Sequence, residues 1–346
     1  MDIELIQGPG GEEQLEYIEK ISSSLVYTNP RFMSLVSEHL SALPAWFVAK
    51  RDGKVAGLLP FIQKDGPLGG VLNSLAYYGS NGGVMQRVKD DEAKRALIDA
   101  FYNRAASLQA CSATIITNPL AHDSGFYEEQ IEYQFRDVRI GQITHFPELE
   151  NVDELIGYFQ NPRPRNIRRA IKEGVEVEKD NSHGALRFLY ETHLANMRAI
   201  GGLPKKASFF SSISEHMEEG DWAVFWAKKD GVPIAALLLF YFNKTVEYFT
   251  PVIVEEYRST QALALLIYEA MLDSMQKGYE NWNWGGTWLS QGGVYDFKKR
   301  WGTTEYRYYY FTRLYNQQVI NCSPKYLQEH YAGFFVLPYK YLKGDT

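Results

Sequence analysis

The sequence predicts an α+β protein in which one unit is duplicated, with mixed, mostly antiparallel sheets flanked by helices. Residues 47–53 and 225–231 match in length and pattern, and each run ends in an Asp-Gly pair that favours a tight hairpin turn. Each hairpin is followed by further strands, one long helix and a short closing strand. This shared order favours duplication over the alternative, a coincidence of two Asp-Gly hairpins.

In the first half, the patterns predict helices over residues 11–40 and 90–108. The glycine-rich run 79–83 predicts a loop, because glycine tolerates left-handed backbone conformations. We place the join near residues 148–153, which divides the chain into domains 1–150 and 151–346. Strands are predicted over residues 46–50, 55–61, 71–78, 113–117 and 140–146.

The second half is predicted to begin with a helix over residues 152–159, interrupted by the two prolines of 161–165 and resumed over 166–172. Helices are also expected over residues 186–200, 211–218, 260–277 and 295–300. Strands are expected over residues 225–229, 233–242, 245–254 and 279–284, followed by the turn Gly285-Gly286-Thr287.

Composition excludes several classes of protein. The chain has 346 residues, 45% hydrophobic and 23% charged, with a net charge of −6, so it lacks the uniform basic surface that DNA binding needs. No apolar run approaches the ~20 residues that span a bilayer, and the N-terminus has no signal-peptide layout. We therefore expect a cytoplasmic protein with at most peripheral membrane contact. The scattered histidines and two distant cysteines predict no metal site.

The strand over 245–254 leads into the helix over 260–277, and this junction predicts a ligand site. A helix N-terminus presents free N–H groups and the positive end of the helix dipole. The sequence therefore predicts an anionic ligand at this helix mouth.

Several motifs follow one another in a characteristic order. They are residues 77–83, the basic run 165–172 with Gly174-Val175, Tyr257-Arg258, residues 283–287 and residues 294–302. Together they resemble the GNAT acyltransferase fold, and more narrowly its FemAB-like branch of tandem GNAT domains, typified by peptidoglycan bridge-forming aminoacyltransferases. The resemblance covers residues 26–315.

The resemblance implies two GNAT-like domains, the first a scaffold and acceptor wall and the second the donor site. It implies an N-acyltransferase that moves an acyl or aminoacyl group from a coenzyme A thioester or aminoacyl-tRNA onto an amine. The acceptor would be an amino-sugar, cell-envelope glycan or peptidoglycan precursor. Partners would be an anionic small-molecule or lipid-linked glycan, and tRNA.

Two departures from the family pattern leave the donor open. Gln261 and Leu263 stand where glycines let the backbone approach a pyrophosphate, which argues against coenzyme A in its usual pose. The long charged helical hairpin of many bridge-forming enzymes has no counterpart, which argues against an aminoacyl-tRNA donor.

The resemblance suggests a donor site along the strand end and helix mouth. Catalytic candidates come in two pairs. Glu247 and Tyr248 are strand neighbours, so only one of them can face the cleft. Tyr295 and Asp296 open a helix, where an acid is equally explained as a helix-terminal charge. No base from the protein is needed if the amine arrives neutral and a substrate group takes the proton. The predicted donor-binding residues are Val252, Val254, Arg258, Thr260, Gln261 and Ala262.

Two basic clusters point to an anionic acceptor. Residues 163–172 carry Arg163, Arg165, Arg168, Arg169 and Lys172, of which Arg165, Arg168 and Lys172 share a helix face. A solvated helix face is the alternative. Lys298, Lys299 and Arg300 form the second cluster. The predicted acceptor-binding residues are Arg165, Arg168, Lys172, Gly286, Thr287, Lys298 and Arg300.

Two other function classes stay open at this point. One is a degenerate GNAT pair that binds a glycan or anionic headgroup without turnover, which the missing glycines favour. The other is an RNA-binding adaptor that uses the basic clusters.

Overall fold

A computed structural model describes residues 1–77, 79–149 and 154–344. The chain forms two compact units, Met1–Arg139 with Arg307–Thr346, and Ile140–Tyr306. These units differ from the division expected after residue 150, because residues 307–346 return to the first unit. The roles expected for the two domains stay predictions.

Strands and helices alternate irregularly along the chain. The strands are β1 (Asp2–Gln7), β2 (Leu43–Arg51), β3 (Lys54–Lys64), β4 (Val71–Ser74), β5 (Ser112–Ile116), β6 (Phe135–His145), β7 (Val175–Lys179), β8 (Trp222–Lys229), β9 (Val232–Phe242), β10 (Thr245–Ile253), β11 (Asn281–Thr287) and β12 (Thr304–Leu314). The α-helices are α1 (Glu12–Glu19), α2 (Pro30–Leu40), α3 (Asp91–Ser107), α4 (Ser124–Gln130), α5 (Leu155–Tyr158), α6 (Arg163–Lys172), α7 (His183–Ala199), α8 (Ala207–Ser211), α9 (Ile213–His216), α10 (Ala262–Gln276), α11 (Gly292–Lys299) and α12 (Pro324–His330). Short 3₁₀ helices cover Val26–Thr28, Glu255–Thr260, Gln317–Asn321 and Tyr339–Tyr341.

In the first unit the strands lie in the order β1-β2-β3-β4-β5-β12. β4 and β5 are parallel and are joined through α3, whereas the other neighbours are antiparallel. The first-unit part of β12 pairs with β5, and the segment after it buries Val336 and Leu337 beside Val71 and Cys111. The C-terminal residues thus complete the core of the first unit.

In the second unit the order is β6-β11-β10-β9-β8-β7. β10 and β11 are parallel and are joined through α10, and the remaining pairs are antiparallel. The buried face of α10, with Leu266, Ile267 and Met271, packs in one apolar cluster with strand residues and with three tryptophans. This core fixes the ends of β10 and β11, where the candidate site lies.

The two units share details that support duplication. Both hairpins turn at an Asp-Gly pair with positive φ at both residues, Asp52-Gly53 and Asp230-Gly231. Both also shift register two residue pairs before the turn, between Ala49 and Lys50 and between Ala227 and Lys228. Each unit then has a parallel strand pair joined by one long helix, as the repeated pattern predicted.

Several element boundaries correct the sequence-based expectations. α6 begins at Arg163 rather than at residue 166, because proline is tolerated in the first turn of a helix, where Pro164 lies. Gly285, Gly286 and Thr287 belong to β11 and not to a turn. Residue 78 of the strand expected over 71–78 and residues 152 and 153 of the helix expected over 152–159 lie outside the described residues.

Across the described ranges, no helix is both long and apolar enough to cross a bilayer. Within the same ranges, no group of three or more His, Cys, Asp or Glu side chains is placed to hold a metal ion.

Candidate functional site

The parallel ladder between β10 and β11 is short, and its end defines the candidate site. Cα pairing runs only from Thr245–Asn281 to Glu247–Asn283, and beyond Glu247 β10 shifts register against β9, between Tyr248 and Thr250. A bulge of this kind bends a strand. The two strands therefore part after Glu247.

Glu247 lies at the last rung of this ladder. Its Oε1 accepts a hydrogen bond of 3.1 Å from Asn283 Nδ2, and both residues are 1% exposed. Asn283 Oδ1 in turn accepts from the Gly285 N–H at 2.9 Å. The carboxylate is therefore fixed in orientation at the point where the strands separate.

Lys298 is buried beside the end of β11 and has an unusual set of partners. Its Nζ donates to Thr287 Oγ1 at 2.9 Å and to the carbonyls of Gly285 and Gly286 at 3.3 Å each, and the residue is 7% exposed. All three acceptors are neutral. Burial lowers the pKa of the Lys298 ammonium to about 8. A positive charge is thus held in a low-dielectric setting by oxygens that do not neutralise it.

A second layer of hydrogen bonds orients this lysine. Thr287 Oγ1 donates to Gln142 Oε1 at 3.1 Å, and Gln142 Nε2 donates to the Tyr295 carbonyl at 3.1 Å. Gln142 and Thr287 are fully buried, so exchange of these partners with water is disfavoured. The network extends from β6 through β11 to α11.

Aromatic rings form the wall next to this network. The Tyr248 ring lies 4.8 Å from Trp284, which stacks on Trp301 at 5.6 Å. Trp284 Nε1 donates to Thr144 Oγ1 at 2.9 Å. Burial raises the pKa of the Tyr248 phenol, and the nearby Arg163 charge opposes that rise. Tyr248 therefore stays a neutral phenol and is a weaker acid than an exposed tyrosine.

The strand end predicted to bind the donor has much of its backbone already paired. Asn196 on α7 donates from Nδ2 to the Ile253 carbonyl at 2.9 Å and accepts from the Ile253 N–H at 3.1 Å. The Val254 N–H donates to Ile234 O at 2.9 Å, and Val252 is 1% exposed. The N–H and C=O groups of residues two apart in a strand point to the same side. Since Val254 N–H bonds to β9, the N–H and C=O of Val252 also face β9. Donor binding by Val252 and Val254 stays a prediction.

The helix mouth is also capped from within the chain. Thr260 Oγ1 accepts from the Ala262 N–H at 3.2 Å and donates to the Tyr257 carbonyl at 2.7 Å. Gln261 takes the left-handed conformation, with φ of 62°, that a glycine would adopt most easily. Arg258 pairs with Glu255 at 2.5 Å, and its side chain is 51% exposed. These residues border the predicted donor site at the helix mouth, and their role in donor binding stays a prediction.

The basic helix places its cations in two environments. Arg165, Arg168 and Lys172 are exposed on α6, which fits either an acceptor surface or a solvated face. Arg163 is buried, and its guanidinium lies 4.2 Å from the centre of the Phe297 ring. Arg300 Nη1 donates to the Asn161 carbonyl at 3.0 Å, next to the start of this helix.

The second catalytic pair is less enclosed. Tyr295 donates its hydroxyl to Glu305, and this hydrogen bond is the main cause of the raised pKa of Tyr295. Asp296 is exposed on α11. Of the four catalytic candidates, the structure therefore places Glu247 and Tyr248 at the strand opening and leaves Asp296 in solvent.

Sequence reasoning gave no role to Gln142, Asn196 or Asn283, although Asn283 opens one of the motifs that carry the family resemblance. Gln142 lies between Gly141 and Ile143, and Asn283 lies between Trp282 and Trp284. A polar residue between non-polar neighbours in a strand is the signal that could have indicated them. Asn196 gave no signal, because its partner Ile253 is distant in sequence.

A separate cavity of about 450 Å³ lies within the first unit. Its wall includes Gly82 of the glycine-rich loop, and also Lys94 and Asp123, which form an ion pair. Gly83 has φ of 88°, and a Cβ there would lie 2.8 Å from the Tyr127 hydroxyl. The loop predicted over 79–83 therefore borders this cavity and needs glycine for close packing.

Comparison with known proteins agrees with this geometry. Residues 163–299 match the acetyltransferase (GNAT) domain family. A lipid II:glycine glycyltransferase from Staphylococcus aureus is 25% identical over 208 residues, which are 54% of this chain and 48% of that protein. Residues 163–299 of this chain therefore resemble a GNAT acetyltransferase domain, and these similarities support the FemAB-like resemblance drawn from the sequence. The chain matches about half the length of the curated relatives.

Solved structures show the same fold over most of this chain. The crystal structure of FemX covers 89% of this chain and 97% of its own, with a TM-score of 0.69 and 16% identity. A tandem GNAT protein from the clavulanic acid biosynthesis pathway covers 91% of this chain and 99% of its own, with a TM-score of 0.54 and 11% identity. The fold class predicted from the sequence, tandem GNAT-like domains, is confirmed.

Proposed function

We propose that this protein is an N-acyltransferase that moves an acyl or aminoacyl group onto an amine of a cell-envelope glycan or peptidoglycan precursor. The observation that carries the proposal is the buried Lys298 ammonium beside the opening between β10 and β11, held by three neutral oxygens. Attack of an amine on an ester or thioester creates negative charge on the carbonyl oxygen. A preorganised cation in a water-poor site stabilises that charge.

The lengths of the Lys298 bonds support this role. The two bonds to backbone carbonyls are 3.3 Å long, at the weak end of the range, and the bond to Thr287 is 2.9 Å. The two weak bonds can be exchanged for an oxyanion while Thr287 keeps the ammonium in place.

Glu247 supplies proton transfer in this proposal, because strand neighbours face opposite sides of a sheet and only one of the pair can reach the reacting amine. Glu247, fixed by Asn283, accepts the proton that the amine loses as the amide forms, and the leaving oxygen or sulfur takes up a proton in turn. Tyr248, its neighbour, keeps its proton because burial raises its pKa, and its ring lies 4.8 Å from that of Trp284. If the amine arrives neutral, a substrate group can take the proton in place of Glu247.

The hydrogen bonds already made at the edge of β10 bear on which class of acyl donor can bind there. A carrier whose amides pair with the edge of β10 must displace Asn196 from Ile253, and Pro251 has no N–H to offer. Coenzyme A thioesters would therefore bind less well than an ester on another carrier. We weigh this above the missing charged helical hairpin, so aminoacyl-tRNA is the favoured donor. The name of the glycyltransferase relative supports an aminoacyl group and a lipid II-type acceptor. We expect the reaction to take place in the cytoplasm.

The test is product formation. Purified protein is incubated with a panel of acyl-CoA thioesters and aminoacyl-tRNAs and with nucleotide-linked or lipid-linked muramyl peptides. Mass spectrometry should show an amide product that depends on donor, acceptor and protein. If acceptors bind but no donor yields product, the second candidate, a non-catalytic GNAT pair that binds a glycan or anionic headgroup, replaces this proposal; the substituted glycines at Gln261 and Leu263 favour that candidate.

A further inference from the structure

The first unit repeats the layout that gives the second unit its candidate site. β4 and β5 are a parallel pair joined through α3, just as β10 and β11 are joined through α10. The cavity of about 450 Å³ is lined by residues that follow β4, by the first turn of α3, by residues that follow β5 and by the segment between α1 and α2. Within the first unit it therefore occupies the position that corresponds to the predicted donor site of the second.

The charges at this end of α3 argue against a second anionic carrier. Asp90 caps the helix by accepting from the Ala93 N–H, and Asp91 and Glu92 follow in the first turn. Carboxylates there already interact with the positive end of the helix dipole and would repel a phosphate group. The cavity of the first unit must therefore hold a ligand of a different chemical class from a phosphorylated acyl carrier.

An ion pair in the cavity wall has one oxygen that lacks a donor. The Lys94 side chain is 6% exposed, its ammonium lies 4.8 Å from the centre of the Phe126 ring, and it donates to Asp123 Oδ2. Asp123 immediately precedes α4, but its side chain makes no capping hydrogen bond to the described part of that helix. Its Oδ1 is buried and has no partner among the described residues. A buried carboxylate oxygen without a donor is costly, so a ligand that supplies an N–H group would be stabilised here.

The rest of the wall describes the other parts of this ligand. A second ion pair, Lys89 with Asp91 at 3.2 Å, lies in an exposed part of the wall, so the two lysines and two aspartates add up to no net charge. Apolar surface comes from Ile21, Val84 and Phe126. The wall therefore fits a molecule that carries charges of both signs, has no net charge and has an apolar part.

We propose that this cavity binds a free α-amino acid with an apolar side chain. The ammonium group of the amino acid donates to Asp123 Oδ1, its carboxylate accepts from Lys94, and its side chain packs on Val84 and Phe126. The ion pair in the wall is thus extended by the ligand instead of being broken. This site belongs to the first unit and does not depend on the acyl transfer proposed for the second.

The test measures binding to the full chain without any acyl donor or acceptor. Leucine, isoleucine, valine, methionine and phenylalanine are screened singly by thermal shift, and calorimetry gives the affinity of each one that raises the melting temperature. For leucine the comparators are isoamylamine, which lacks the carboxylate, and isocaproate, which lacks the ammonium group. At least one of the amino acids should bind, and should bind about tenfold or more tightly than its own amine and acid analogues. If none binds at millimolar concentration, or if the amine binds as tightly, the proposal is wrong.

A double variant assigns the binding to this ion pair. Lys94→Met combined with Asp123→Asn removes both charges, so that neither is left buried without its partner. It should lower the affinity for the amino acid about tenfold or more. Asp99→Asn, at an exposed position on α3, is the matched control and should leave the affinity unchanged. An unchanged affinity in the folded double variant would overturn the proposal.

Hydrogen exchange of the wild type keeps the proposal testable if the double variant does not fold. The bound amino acid should slow amide exchange in residues 82–94 and 118–126, which line the cavity. A ligand that slows exchange only outside these segments binds at another site, and the proposal is then wrong. Since no turnover is measured, failure of this site leaves the proposed acyl transfer unaffected, and an inactive protein can still bind the amino acid.

Discussion

Lys298 shows how one residue can be both costly to fold and useful for chemistry. Its ammonium lies in a buried site with only neutral acceptors, and burial lowers the pKa of the group to about 8. Among the described residues no carboxylate pairs with this ammonium, which makes the charge costly to bury. Its electric field can therefore act on a reacting carbonyl oxygen.

The rate of acyl transfer should depend on the charge of Lys298. Since the pKa of Lys298 is about 8, kcat/KM should fall as pH rises through 8, because the ammonium loses its proton. A pH profile measured with a donor whose own chemistry does not change in this range checks this. Lys298→Arg should move the fall to higher pH, and a wild-type profile that stays flat up to pH 10 would show that the charge is not needed.

The same pKa makes a prediction about stability. The pKa of Lys298 is lower in the folded state, about 8, than in the unfolded state, about 10.5. The unfolded chain therefore binds more protons between these values, so this residue adds stability as pH rises from 8 to 10.5 and imposes its full penalty below 8. Relative to Lys298→Met, the wild type should gain roughly 3 kcal/mol of unfolding free energy over this window.

Denaturant unfolding of both proteins at pH 7.5 and pH 10 measures this gain. Lys299→Met, at the exposed neighbouring position, is the matched control and should show no such pH dependence. If Lys298→Met and Lys299→Met differ from the wild type by the same change in unfolding free energy between pH 7.5 and pH 10, the claim that Lys298 carries a buried charge is wrong.

At the scale of elements, a side chain of α7 completes the backbone hydrogen bonding at the edge of β10. Asn196 bonds both backbone groups of Ile253 and so takes the place of a neighbouring strand after β11 has separated from β10. Without it, an N–H and a C=O would lack partners at the strand edge. Asn196 therefore stabilises the opening and also competes with any carrier that pairs with the strand.

Replacing Asn196 tests this element directly. Asn196→Leu should lower the unfolding free energy by about 1–3 kcal/mol, because the Ile253 N–H and C=O lose their partners. Hydrogen exchange should show faster exchange of the Ile253 amide. Arg198→Leu, at an exposed position of the same helix, is the control, and an Ile253 amide that exchanges at the wild-type rate in Asn196→Leu would refute the pairing.

Local signals explain what the sequence could predict about the elements. The two Asp-Gly hairpins were predictable because the turn residues and flanking strands are contiguous, and the structure repeats even their register shifts. The burial of Arg163 was not predictable, because it depends on the rings of Phe297 and Trp301, which are distant in sequence. The neighbouring cations of α6 look equivalent to it in sequence but are exposed.

At the scale of the whole molecule, the duplicated pattern predicts the fold. The boundaries of the two units depend on residues 307–346, which pack with residues 1–139. Thr114 and Thr312 share a hydrogen bond of 2.9 Å although 198 residues separate them. Sequence proximity suggested that residues 307–346 belong to the second domain, yet their apolar side chains complete the first. Non-local strand pairing of this kind leaves no local pattern.

Leu337→Ala tests the place of the C-terminal segment. Leu337 is fully buried in the cluster that contains Val71 and Cys111, so the substitution should lower the unfolding free energy of the first unit by about 2–5 kcal/mol. Hydrogen exchange should rise in β4 and β5. Leu43→Ala, at a 63% exposed position of the same unit, is the matched control. Protection lost only within residues 140–306 would place the segment elsewhere.

The central claim is that the buried ammonium beside the parted strands stabilises the charge that develops during acyl transfer. The most direct measurement is the single-turnover rate of amide formation by Lys298→Met and by Lys299→Met, with substrate affinities measured separately. We predict a rate at least ~100-fold lower for Lys298→Met, with donor and acceptor affinities within a few-fold of wild type, and a normal rate for Lys299→Met. A normal rate for Lys298→Met, or a loss confined to substrate binding, would contradict the claim.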